Sequence, residues 1–129
     1  MSNKNIIYLF LLGLSCISLT VPNQSPMAKL MHRMLTYLKN EKQRIEADKP
    51  RQKFPKEFEK INTATVTPGK KLVPEHREYV ENFRSALAAY YNTDLPRREQ
   101  FNRLVSTCIK CHERECPGPV ETINSQKIP

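Results

Sequence analysis

Cys108, Cys111 and His112 are the residues of this chain best suited by type and spacing to do chemistry. They stand in the run Cys108-Ile109-Lys110-Cys111-His112, a Cys-x-x-Cys-His pattern. On a helix, residues three apart share a face, so both thiols can reach the two vinyl groups on one edge of a porphyrin. His112 lies four positions after Cys108, on that same side, where its imidazole can bind iron from one face of the ring. The pattern is the attachment motif of c-type haem, and it implies one covalently bound haem c. Cysteine is scarce here: the chain has four, and three of them fall between positions 108 and 116.

Two other chemistries use the same residues. Cys108, Cys111, His112 and Cys116 are ligand types that suit tetrahedral zinc. All four sit on one expected helix, however, which does not easily wrap a tetrahedron. A disulfide between Cys108 and Cys111 would make a redox dithiol. Cys116 is left over from the haem pattern. It reads either as a small half-buried residue in a last helical turn or as a thiol that pairs with another chain or with Cys16.

A second iron ligand has several candidates. Met27, Met31 and Met34 share a stripe with Leu38 and Ile45 at spacings of four, three, four and seven. Such a stripe fits core packing as well as it fits a ligand set. Met31 lies some 8 Å into the first expected helix, and His112 lies about 6–8 Å from the end of the last one, at 1.5 Å per residue. In an antiparallel pair the two therefore face each other at similar depth. An open sixth position is the alternative to Met31. His32 is rotated off the stripe by about 100°. His76 is expected at the far end of the bundle from His112, as a surface residue. Tyr90 and Tyr91 are expected to pack.

These residues need helices to hold them. Apolar positions recur at helical spacing in four segments. The first runs from Pro26 to Ala47, with Ser25 as its cap and Pro50 beyond its end. The second is short, from Pro55 to Ile61, with Phe54, Phe58 and Ile61 as its apolar side. Thr63 to Lys71, with Pro68 and Gly69, reads as a loop. The third runs from Pro74 to Tyr91 with a stripe of Val80, Phe83 and Leu87. The fourth starts at Asp94 as N-cap, with Pro96 in its first turn, and stops at Pro117-Gly118-Pro119. No strand-like alternation of useful length appears. The expected fold is all-α: an antiparallel four-helix bundle with a short second helix and the haem near the C-terminus of the last one. Residues 26–119 form the haem-binding domain, and residues 120–129 a polar, frayed tail.

The ends of the chain set its address. Met1 to Asn5 is polar with one cation, Lys4, and Ile6 to Val21 carries no charge. This is the pattern of a secretory signal peptide over residues 1–21, with an uncertain cleavage point, and it implies a periplasmic or exported protein. The uncharged run is short of the roughly 20 residues that a spanning helix needs, so an uncleaved anchor is the lesser reading. Cys16 follows Gly-Leu-Ser and loosely resembles a lipidation site, which would tie the chain to a membrane. The net charge is +8, but cations are interleaved with Glu and form no block of five or six. That spread speaks against nucleic acid. It fits either a solvated mixed-charge surface or docking to acidic redox partners. No paired carboxylates or nucleophile–base set argues for hydrolysis, and no enzymatic activity is expected. The chain has no Trp, and a haem would add a large apolar surface to a thin core.

A helical bundle carrying Cys108, Cys111 and His112 near the end of its last helix resembles the class II c-type cytochromes, that is, cytochrome c-prime and its low-spin relatives. The likeness extends over the order of helices from about 26 to 116. In low-spin members a methionine of the first helix is the sixth ligand, and Met31 stands at the matching place. The resemblance implies a mono-haem electron carrier with His/Met ligation. In the five-coordinate members it implies a gas-binding or stress-protective protein instead. The short second segment and the Cys116-Pro117-Gly118-Pro119 run with its tail depart from the family pattern. A non-haem zinc or interaction module is the reading outside the family.

Overall fold

Ser25 begins the first helix as its sequence predicts: its Oγ accepts from the Ala28 N–H at 3.1 Å, and its carbonyl accepts from Lys29. The computed structural model describes residues 23–129, and every regular element among them is helical. Helix α1 spans Pro26–Glu46, a 3-10 segment spans Lys56–Asn62, α2 spans His76–Tyr91, α3 spans Arg97–Glu115, and α4 spans Val120–Asn124. The expected signal peptide and Cys16 lie outside the described residues. No described helix is long and apolar enough to cross a membrane.

The stripes read from the sequence form the core. Leu30, Met34 and Leu38 of α1 meet Val80, Phe83 and Leu87 of α2 and Phe101, Leu104 and Val105 of α3. The short second segment is a 3-10 helix, and it drops Phe58 and Ile61 into that core. Phe58 meets Tyr37 edge-on, with ring centroids 5.3 Å apart. Helices α2 and α3 are antiparallel neighbours. Tyr90 at the end of α2 accepts from Arg97 at the start of α3, and His76 at the start of α2 meets Glu115 at the end of α3.

A buried polar cluster joins the other end of α1 to that pair. Glu41 is fully buried and pairs with Arg97 at 2.8 Å. It also accepts from the Tyr90 hydroxyl and from the backbone and side chain of Gln52. Its lone pairs are thereby satisfied, which is the condition for a charge to be tolerated without water.

Three expectations are corrected. Asp94 does not cap the last long helix; Pro96 occupies the cap position and α3 starts at Arg97. A proline there fixes the backbone without a capping side chain. The segment 120–129 is not frayed, and the packed unit does not end at residue 119. Pro117-Gly118-Pro119 turns the chain into α4, and Ile123, Gln126 and Ile128 are buried. The Ile128 N–H donates to Asn102 Oδ1 at 2.8 Å, Asn102 Nδ2 donates back to Ile128 O at 2.7 Å, and Lys42 Nζ donates to Ser125 O at 3.0 Å. Two isoleucines and a set of backbone pairings outweigh the polar average of the segment. His76 is the third correction, and it belongs to the site.

Candidate functional site

An apolar groove of about 820 Å³ opens at the end of the fold where α1 begins and α3 ends. The size falls within the roughly 300–1,000 Å³ of ordinary ligand pockets. Four stretches line it. Helix α1 contributes Met27, Met31 and Met34, with His32 beside them. Helix α3 contributes Cys108, Cys111, His112 and Glu115. The strap before α2 contributes Val66, Lys70 and Leu72, and His76 follows it. The turn into α4 closes the last side with Pro119 and Ile123. The structure thus brings Met31, from a distant part of the sequence, to the same groove as Cys108, Cys111 and His112.

The α3 residues face the groove for the reason their spacing implied. Positions 108, 111, 112 and 115 fall on one side of α3, a helix that packs closely on α2. Cys108 is the deeper thiol. It packs against the hydrophobic core and also lines a small cavity shared with Tyr37, Phe58 and Leu104. Burial pushes the Cys108 thiol up to about 12, with the neighbouring Cys111 adding to it. Burial, helped by the Glu115 charge, pushes Cys111 up to about 11. Both therefore stay protonated at neutral pH. A reactive dithiol needs the opposite, a lowered thiol pKa.

His112 is half-buried, and its Nδ1 donates to the Cys116 carbonyl at 3.2 Å. A carbonyl can only accept, so the proton is on Nδ1 and the lone pair on Nε2 is free. Burial lowers the His112 pKa, although the Cys116 carbonyl and Glu115 work against the shift. A neutral imidazole fixed through Nδ1 is the form that binds a metal through Nε2. Cys116 is exposed, and its sulfur lies 3.7 Å from His112 Nδ1. Cys108, Cys111 and Cys116 are all free thiols. Among the described residues, no three His, Cys, Asp or Glu side chains converge as a group that could hold a metal ion.

Across the groove, Met34 is buried, while Met27 and Met31 are half-buried and pack at the edge of the core. His32 is exposed beside them. His76 is not a surface residue remote from His112. Its Nδ1 stands 2.9 Å from Glu115 Oε1, and its side chain is 16 % exposed. The antiparallel rule that pairs the start of α1 with the end of α3 applies equally to consecutive helices, so the start of α2 also lies at that end. Applied to His76, the same rule places it there from the sequence alone. Glu115 had no such signal. Its carboxylate is buried where it also accepts from the Val73 N–H at 3.1 Å and lies 3.6 Å from Lys70 Nζ.

The strap that holds Lys70 and Leu72 is fixed on both sides. Glu115 ties it to α3, and the Met27 N–H donates to Thr65 O at 3.0 Å on the α1 side. The groove therefore has a preformed wall.

No protein-family model, curated protein or solved structure matches this chain.

Proposed function

We propose that the protein is an exported, mono-haem c-type electron carrier built as an antiparallel four-helix bundle with a short second helix. The observation that carries this reading is the gathering of Cys108, Cys111, His112 and Met31 around one apolar groove. The donor set suits the group. Two neutral thiols on one helix face would supply thioether sulfurs, and a neutral imidazole with its Nδ1 already engaged would bind iron. The largely apolar lining suits a porphyrin, and Lys70 and His32 are the basic groups at its margin. When bound, the haem supplies a one-electron ferric/ferrous couple.

The chain's own residues do the rest. Cys108 and Cys111 fix one edge of the ring, and the Cys116 carbonyl orients His112. Leu35, Leu38 and Ile61 help keep water from the buried side of the groove. Met31 is proposed as the distal ligand, because it stands on the helix that faces α3 and a thioether there raises the potential. The net charge of +8 favours acidic redox partner proteins. Periplasmic export rests on residues 1–21, and lipid anchoring at Cys16 is the variant of that reading.

A second reading, a five-coordinate gas-binding haem protein, draws on one observation: Met31 is only half-buried and is one of three methionines on its stripe. Ferric absorbance of protein produced with c-type maturation machinery separates the two. Low-spin iron with a sulfur–iron band is expected; a high-spin spectrum that responds readily to carbon monoxide after reduction would favour gas binding.

A further inference from the structure

We propose that His76 is a second imidazole ligand of the groove, held by Glu115, which takes the sixth iron position when Met31 leaves it. The inference rests on the haem reading above and extends it to a ligand that the sequence pattern did not supply.

Three observations carry it. First, the imidazole is oriented. Glu115 Oε1, at 2.9 Å from His76 Nδ1, is a carboxylate oxygen that accepts the Nδ1 proton. In the neutral ring the lone pair is then on Nε2. A histidine whose far nitrogen is fixed by a carboxylate is the usual arrangement of a metal-binding imidazole, because the carboxylate fixes the tautomer and strengthens the donor. Second, the acceptor is incomplete. His76 Nε2 is buried and has no hydrogen-bond partner. A buried polar atom without a partner costs about 1–3 kcal/mol, so an occupant that engages it is favoured. Third, the residue is in the right place. His76 lines the same groove as Cys108, Cys111, His112 and Met31. Glu115 itself is anchored, since it also accepts from Val73 and lies beside Lys70.

The groove thus offers two imidazoles, His112 and His76, each with Nδ1 committed to an oxygen and Nε2 left for a metal. Met31 has no comparable fixation; it is a flexible thioether on the edge of the core. Exchange between a thioether and an imidazole would let one site hold iron at two different potentials, because the thioether favours ferrous iron and the nitrogen ligand does not.

The test uses the matured holoprotein as wild type, Met31→Ala, His76→Phe and the double variant, each checked for helicity by circular dichroism. Ferric electron paramagnetic resonance and carbon monoxide binding to the ferrous form are the readouts. Met31→Ala is expected to lose the sulfur–iron band yet remain low-spin with a nitrogen-ligand signature. The double variant is expected to become high-spin and to bind carbon monoxide about tenfold more tightly than Met31→Ala or better, a difference of about 1.4 kcal/mol. Added imidazole should return the double variant, and not Met31→Ala, to the low-spin form. Glu115→Gln in the Met31→Ala background should release part of the iron to high spin, as expected of a positioning residue. If Met31→Ala fails to fold, Met31→Leu replaces it.

High-spin iron in Met31→Ala alone would overturn the proposal while leaving the haem assignment intact. Low-spin iron that persists in the double variant would assign the ligand to another donor, Lys70 or His32, and would also overturn it. A protein mass without haem would remove both this proposal and the function it rests on.

Discussion

Met31 and Met34 are three residues apart on α1 and line the same groove, but they are expected to respond differently to truncation. Met34 is buried in the core beside Leu38 and Leu104, whereas Met31 sits at its edge. Met34→Ala should cost about 2–5 kcal/mol, read by urea denaturation, and leave the iron spectrum unchanged. Met31→Ala should cost less stability and lower the reduction potential, because it removes the thioether that favours ferrous iron. Equal spectra in the two variants would remove Met31 from the site. The sequence made Cys108, Cys111 and His112 legible because their chemistry is local: spacing along one helix is enough to put them on one face. His76 and Glu115 were not legible in the same way. They are 39 positions apart, and only the packing of α2 on α3 makes them a pair.

Two elements fix the frame around that site, and each gives a prediction. The first is the Glu41–Arg97 pair that locks the far ends of α1 and α3. Burial pushes the Glu41 carboxyl up, but the hydrogen bonds from Tyr90, Arg97 and Gln52 outweigh it and the net shift is down. The unfolded chain then binds the proton more readily than the folded one. The stability this group contributes is present above the unfolded carboxyl pKa of about 4.3 and is lost as the pH falls through the lower folded value. Glu41→Gln should therefore flatten the fall in stability between about pH 5 and pH 3, measured by denaturation at each pH. Arg97→Met at neutral pH should cost on the order of 3 kcal/mol, because it leaves a buried carboxylate without its cation. An unchanged acid profile in Glu41→Gln would show that other carboxyls set it.

The second element is the C-terminal segment. Ile128→Ala should cost about 2–5 kcal/mol, as for any buried large-to-small change, whereas a frayed tail would show no cost at all. The long helices were readable because their stripes repeat over four or five turns. The tail was not, since Ile123 and Ile128 are too few to form a periodic signal and the pairing with Asn102 is made 26 residues away. The 3-10 geometry of Lys56–Asn62 was likewise hidden; of the three residues expected on its apolar side, Phe58 and Ile61 enter the core, while Phe54, ahead of the first turn, stays exposed.

At the scale of the whole molecule, the groove and the core are continuous. Cys108 packs on the core from one side and lines the groove on the other. A cofactor in the groove would extend the apolar interior of a chain that contains no Trp, and ring and protein would be stabilised together. The all-helical class was legible from the absence of strand-like alternation, and the described residues are helical throughout their regular structure. Covalent haem is the central claim, and intact-mass spectrometry of the full chain, produced with c-type maturation machinery and then denatured, tests it most directly. The account predicts one added haem that survives denaturation in the wild type and is lost from the Cys108→Ala/Cys111→Ala variant. A mass equal to the bare polypeptide, in cells that mature a control cytochrome, would contradict it.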